Sequence, residues 1–285
     1  MRSSVPVGER IWSRNLRTDL CRADFFGSLF LVGCANGLAG KGIAAVNQLG
    51  WTAALFATFN ISVIVIASCA AGIWLIFQAK REKIRPNDIA VGAVALFLIA
   101  LPVASLAWLA VTGLCLYLML TQDADRSTSS GAVVLLATTM PMLWSRLLFH
   151  FFSKSILVFD AAMVAWLLGT QRAGNMVEFA DHSGTLVIFE ACSSLANVSL
   201  AILCWVTISQ LVQRKAKPVD VFWCLLACCS VVAINVARVS LMGLSGLHYA
   251  AVHSSVGNAV ANGVTLGLTV AICLWGVRAD VLARN

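Results

Sequence analysis

Three residues carry most of the chemical potential of this chain: Cys192 in FEACSSLAN, Arg238 in VVAINVARVSLMG and His253 in HSSVGNAV. A thiol, a guanidinium and an imidazole gathered in one place are the parts of a nucleophilic hydrolase or transpeptidase. An imidazole can pass a proton between a thiol and a leaving amine. The three are far apart in sequence, so the elements between them must bring them together.

Those elements are membrane spans. The 285 residues are 60% hydrophobic and 12% charged, and the mean hydropathy is +0.87. A soluble domain has about twice that share of charge and no long apolar runs. Apolar stretches of about 20 residues recur from residue 26 to residue 277, which reads as an all-α polytopic membrane protein forming one integral domain. About eight spans are expected, at 26–46, 52–78, 88–104, 105–121, 131–141, 186–212, 219–244 and 255–277. Lys41 in the first snorkels outward. The third and fourth are short and meet near Pro102. Residues 26–130 form a generic four-span half, and 131–277 the half that bears the candidate residues.

Residues 143–169 are apolar but carry Arg146, His150, Lys154 and Asp160, with Trp144 and Trp166 near the ends. That pattern suits a helix lying in the membrane interface. The run TQRAGNMVEFADHSGTLVIFEA has turn residues and partial alternation, and predicts a small extracytoplasmic hairpin.

Charge placement sets the topology. Basic residues cluster at Arg2, Arg10, Arg14, Arg17 and Arg22; at Lys80, Arg81, Lys83 and Arg85; at Arg214, Lys215 and Lys217; and at Arg278 and Arg284. With eight spans, all four clusters fall on one side, cytoplasmic by the positive-inside rule, with both termini (1–25 and 278–285) there. A ninth span within 143–169 would move 214–217 outside. No folded basic face is offered to nucleic acid. The first 24 residues lack the apolar core and cleavage site of a signal peptide. Most of the ten cysteines lie in apolar runs as small hydrophobes, and none forms a CxxC pair with matching histidines, so neither a metal nor a cofactor is expected.

Helix rise then fixes depth. From Cys192 to Arg214 is roughly 33 Å, from Pro218 to Arg238 roughly 30 Å, and from His253 to Arg278 roughly 37 Å. Each is about one hydrocarbon thickness. Cys192, Arg238 and His253 therefore share the outer membrane edge, provided that their helices are neighbours. A thiol at a helix N-terminus near Arg238 is favoured in its nucleophilic form. Asn235, one turn before Arg238, is placed to orient the guanidinium. Ser193 and Ser194 flank the thiol. Glu190 is about 200° round a helix from Cys192 and could cap the helix start or hold a substrate group. His248 competes with His253 for the proton-transfer role. His182 and His150 read as solvated or headgroup contacts. Gly33 and Gly37 in GCANG have the GxxxG spacing of close helix packing.

These residues resemble the exosortase/archaeosortase family. Its members carry a cysteine in an EACSGL-like motif, an arginine in NxxR and a histidine in an HxxxG-like motif, in that order. The matching runs here are EACSSL with Cys192, NVAR with Arg238 and HSSVG with His253. Similarity extends over about 140–277, and Ser194 stands where the family usually has glycine. The resemblance implies a membrane-embedded cysteine protease-transpeptidase of the bacterial inner membrane with its site toward the periplasm. Its partners would be exported proteins ending in a sorting signal: a short motif such as Pro-Glu-Pro, a membrane helix and a basic tail. Cys192 would attack the scissile carbonyl and form a thioester, Arg238 would stabilise developing charge, and His253 would act as general acid and base. An acceptor from an envelope polysaccharide system would be a further partner. Two other classes fit the composition: a small-solute transporter, which would place polar groups near the midplane, and a non-enzymatic component of an envelope polysaccharide system.

Overall fold

A computed structural model of the chain describes residues 20–121, 125–214 and 216–282. Arg2, Arg10, Arg14, Arg17, Lys215 and Arg284 lie outside them. About 80% of the chain is helical. In order come α1 (Arg22–Leu49), α2 (Trp51–Phe56), a 3-10 turn Thr58–Asn60, α3 (Val63–Phe77), α4 (Pro86–Ala100), α5 (Ala104–Leu120), α6 (Arg126–Thr139) and α7 (Ser145–Leu168). Strands β1 (Arg172–Ala173), β2 (Met176–Glu178) and β3 (Thr185–Val187) follow, then α8 (Ser194–Leu211), α9 (Pro218–Met242), α10 (Gly246–Val252) and α11 (Ser255–Leu282).

Among the described residues, five helices are long and apolar enough to cross a membrane: Arg22–Leu49, Arg126–Leu168, Ser194–Leu211, Pro218–Met242 and Val256–Arg278. The helices α3, α4 and α5 are apolar but shorter. This is the helical, membrane-embedded class that the composition predicts.

Hydrogen bonds between distant residues define one end of the bundle. The Arg22 amide donates to the Glu82 carbonyl (2.8 Å), and the Lys80 amide to Asp125 Oδ2 (3.2 Å). Ser127 Oγ donates to the Leu75 carbonyl (2.8 Å), and Arg126 to the carbonyl of Gln213. Arg214 pairs with Asp220 (2.5 Å) and donates to the Gly276 carbonyl (3.1 Å). Loop 79–85, the start of α6, the α8–α9 turn and the last part of α11 thus meet at this end. The starts of α8 and α11 and the end of α9 lie at the other.

Close packing holds the first half. Phe26, Phe30, Trp108, Leu114, Leu118 and Leu135 are fully or almost fully buried in one core shared by α1, α3, α5 and α6. Gly37 is where the GxxxG spacing matters: a Cβ there would stand 2.6 Å from the Trp108 indole, whose Nε1 donates to the Gly37 carbonyl (3.2 Å). The halves are joined where α3 and α6 pack on α8, with Ser68 and Thr207 hydroxyls 2.8 Å apart.

Three local expectations are corrected. Span two is not one helix over 52–78. It breaks at 57–62, where Thr58, Phe59 and Asn60 take φ of 50°, 54° and 55°. Left-handed backbone costs roughly 1–2 kcal/mol per non-glycine residue, so this turn is held against its own preference. Second, the chain does not break near Pro141. A π-turn over Met140–Trp144 carries α6 into α7, with the Ser145 amide reaching back to the Met140 carbonyl. The wider turn absorbs a proline that lacks an N–H and crowds the preceding turn. At 43 residues, Arg126–Leu168 is far longer than the roughly 20 that a bilayer needs. Third, span six begins at Ser194 rather than 186, because Thr185–Val187 pairs with Met176–Glu178 as the last strand of a small antiparallel sheet.

Candidate functional site

Cys192 ends a short 3-10 turn, Glu190–Cys192, and immediately precedes Ser193, the N-cap of α8. The Ser193 hydroxyl accepts from the Leu195 amide (3.3 Å). The next amide, that of Ser194, donates to Asp160 Oδ2 (3.1 Å) on α7. A carboxylate at a helix N-terminus satisfies an orphan amide and complements the helix dipole. So Ser193 and Asp160 make the cap. Glu190 is exposed and contributes its main chain, its carbonyl accepting from the Ser193 amide (3.0 Å).

Asp160 is the residue that sequence reasoning underused. It is 3% exposed, and an acid buried in an apolar run was itself a signal of a role.

Asn235 ties the Cys192 loop to α9. It is buried, and its Nδ2 donates to the Cys192 carbonyl (2.7 Å) and to Ser194 Oγ (3.1 Å). The Ser194 hydroxyl thus gains a partner. Asn235 orients the cysteine loop rather than the guanidinium. Cys192 is half-buried and packs against the buried cluster that includes Ala161, Val164, Val239 and Met242, which Val236 and Val252 also border. Its thiol makes no hydrogen bond among the described residues.

Arg238 lies one turn beyond Asn235 on the same face of α9, where Cβ atoms stand about 5–6 Å apart. Its Nη2 donates to Asn258 Oδ1. Its Nε is buried with no partner, and no carboxylate pairs with it among the described residues. Asn258 Nδ2 in turn donates to the His253 carbonyl (3.0 Å). Arg238 is therefore linked through Asn258 to the turn that carries His253. Asn258 was legible as an amide one turn into the last span, but its reach back across the turn was not.

His253 caps the C-terminal end of α10 and is exposed. Its ring stacks on Tyr249 with centroids 5.2 Å apart. Gly257 makes the tight α10–α11 corner possible, since a Cβ there would stand 2.4 Å from the Val252 carbonyl oxygen. His248 is exposed on α10 and bonds through Nδ1 to Ser245 Oγ (2.8 Å); it has no link to Arg238. Structure thus gathers Cys192, Asn235, Ser194, Arg238, Asn258 and the His253 main chain at one end of α8, α9 and α11. It does not join thiol, guanidinium and imidazole to one another by direct hydrogen bonds.

The strands beside the site form the order β1-β2-β3. The Ala180 amide donates to the Gly243 carbonyl (2.9 Å), seating this sheet over the end of α9. His182 and His150 are exposed, as expected. Glu178 accepts from His182 Nδ1 (2.9 Å) and holds that imidazole above its ordinary pKa. Among the described residues no cluster of metal-binding side chains is present. Compared with family models, with curated proteins and with solved structures, the chain matches none.

Proposed function

We propose that this chain is a membrane-embedded cysteine protease-transpeptidase, working as the exosortase/archaeosortase family it resembles is thought to work. Its substrates would be exported proteins with a C-terminal sorting signal of motif, membrane helix and basic tail. In this reading eight spans cross the inner membrane, both termini are cytoplasmic, and the site faces the periplasm. The observation that carries it is the bridging by Asn235 and Asn258, which bind the Cys192 loop, Arg238 and the His253 turn to one end of three helices. Basic segments at the opposite end support the orientation.

The chemistry runs in two balanced steps. Cys192 Sγ, its proton passed to His253, bonds to the scissile carbonyl carbon; the C–N bond breaks and the amine leaves with that proton. Arg238, with an uncommitted Nε, stabilises the charge that develops. Water or an acceptor amine then attacks the thioester, gives up a proton through His253, and frees the thiol. His253 must leave its stack on Tyr249 to do this.

The test is processing of a tailed substrate by the wild type and by Cys192→Ala at equal protein level. Loss of processing is expected; undiminished processing would exclude a cysteine mechanism. A transporter is the second reading, favoured by the break at 57–62 beside a cavity, since transporters bind at interrupted helices. Solute uptake that depends on Lys41, Asn60 or Asn235 would select it. Thiol labelling of Cys192 from outside, without any processing, would leave a non-enzymatic envelope component.

A further inference from the structure

A cavity of about 430 Å³ lies between the broken start of α3 and helices α8, α9 and α11. Its lining includes Asn60, Asn197, Val231, Asn262, Thr265 and Thr269. Three of these positions fix its place. Asn197 is one turn inward from Ser194 on α8. Val231 is one turn inward from Asn235 on α9. Asn262 is one turn inward from Asn258 on α11. The cavity therefore continues the candidate site into the bundle, on the same helix faces.

Its lining is rich in amides and hydroxyls; Asn197 is half-buried, and Asn60 and Asn262 are exposed. The Thr58, Thr265 and Thr269 hydroxyls donate to carbonyls of their own segments. The carboxamides of Asn60, Asn197 and Asn262 have no hydrogen-bond partner among the described residues, and no charged side chain lines the space. Polar groups inside a membrane protein are costly and need partners. A carboxamide offers a donor pair and an acceptor, the complement of a peptide unit.

We infer that this cavity receives an unwound stretch of the substrate's membrane helix next to the scissile bond, its main-chain N–H and C=O groups taken up by Asn60, Asn197 and Asn262. The inference rests on the proposed function and adds its binding determinant. A helix cannot present a peptide bond to a nucleophile until its backbone hydrogen bonds open, and in lipid every opened group must find another partner. Asn197 and Asn262, one turn inward from Ser194 and Asn258, and Asn60 from the broken start of α3 supply those partners without selecting side chains. The left-handed turn Thr58–Asn60 contributes Thr58 and Asn60 to the lining.

The test uses the full-length protein in lipid vesicles. The probe is a peptide with a Pro-Glu-Pro motif, about 20 apolar residues and a basic tail. A photo-crosslinking residue is placed at position 262 in Cys192→Ala, with position 94 on α4, where Val94 is 63% exposed, as the lipid-facing control. Crosslinking at 262, displaced by excess unlabelled peptide and absent at 94, is expected. In the otherwise wild-type protein, Asn197→Ala and Asn262→Ala should each lower kcat/KM about 3- to 10-fold, mostly through KM, as loss of a single hydrogen bond does. Cleavage by the wild type with equal crosslinking at both positions and unchanged kinetics in both variants would overturn the cavity inference alone. Failure of the wild type to cleave and to crosslink would sink it together with the hydrolase reading. Uptake of a small solute that depends on Asn60 and Asn262, with no cleavage, would also overturn it.

Discussion

The two halves of the bundle differ in how they hold a buried guanidinium: Arg22 in the first is paired with Asp88 and Glu82, although its Nη2 has no hydrogen-bond partner, whereas Arg238 in the second has no carboxylate partner among the described residues. In the first, Asp88 is buried and takes three donors: Arg22 Nε (3.0 Å), the Arg85 amide (2.9 Å) and Tyr117 Oη (2.8 Å). In the second, Arg238 has one neutral partner and a buried Nε with none, while Asn197 and Asn262 line a cavity that Asn60 of the first half also borders. Polar groups that are fully committed build structure.

That contrast can be broken from either side. The largest effect should come from Arg238→Lys. Lysine keeps the charge but loses the planar fork, so processing should fall at least about 100-fold while the unfolding midpoint in detergent stays within error. Wild-type turnover would reduce Arg238 to a headgroup anchor. In the first half the split should reverse. Asp88→Ala leaves Arg22 buried without its carboxylate and should cost about 3 kcal/mol of stability, with activity per folded molecule kept. If Asp88→Ala silenced the site in folded protein, the division of labour would be wrong.

A smaller effect is expected at the corner that holds His253. Gly257→Ala must displace the Val252 carbonyl and should cost about 1–3 kcal/mol, read as a lower unfolding midpoint. It should also lower kcat more than it raises KM, because the histidine moves. The smallest effect lies at the sheet. Glu178 raises the His182 pKa, so the charged pair supports the sheet below the unfolded pKa of about 6.5 and that support is lost as pH rises through the higher folded value. In Glu178→Gln an NMR titration of His182 should return toward the unperturbed imidazole. An unchanged titration would mean that the pair does not form in solution.

Much of the bundle was legible because apolar length is a strong signal. The helix now seen as α1 was expected at 26–46, α9 at 219–244 and α11 at 255–277, each within a few residues of its helical limits apart from the ends of α1 and α11, which extend further. Pro102 correctly marked the α4–α5 turn. That Cys192, Arg238 and His253 fall at the same end of α8, α9 and α11 followed from helix rise. Other features left no local trace. TAALFATFNISVIV contains neither glycine nor proline, so its left-handed turn reads as continuous span. Pro141 ordinarily ends a helix, and only the packed neighbours reveal the π-turn that carries it. Asp160 is bound to an amide 34 residues away, a separation that periodicity does not encode. The sheet residue Leu186 was absorbed into span six because a short buried strand and a helix start are equally apolar.

The most direct test of the account is to catch the covalent intermediate. Purified protein in lipid vesicles is mixed with the tailed peptide, quenched in acid, digested and weighed by mass spectrometry. A mass increase equal to the N-terminal product, on the fragment bearing Cys192 and released by hydroxylamine, is the predicted result. Full cleavage of the peptide with Cys192 unmodified at every time point, and the same rate from Cys192→Ala, would contradict it.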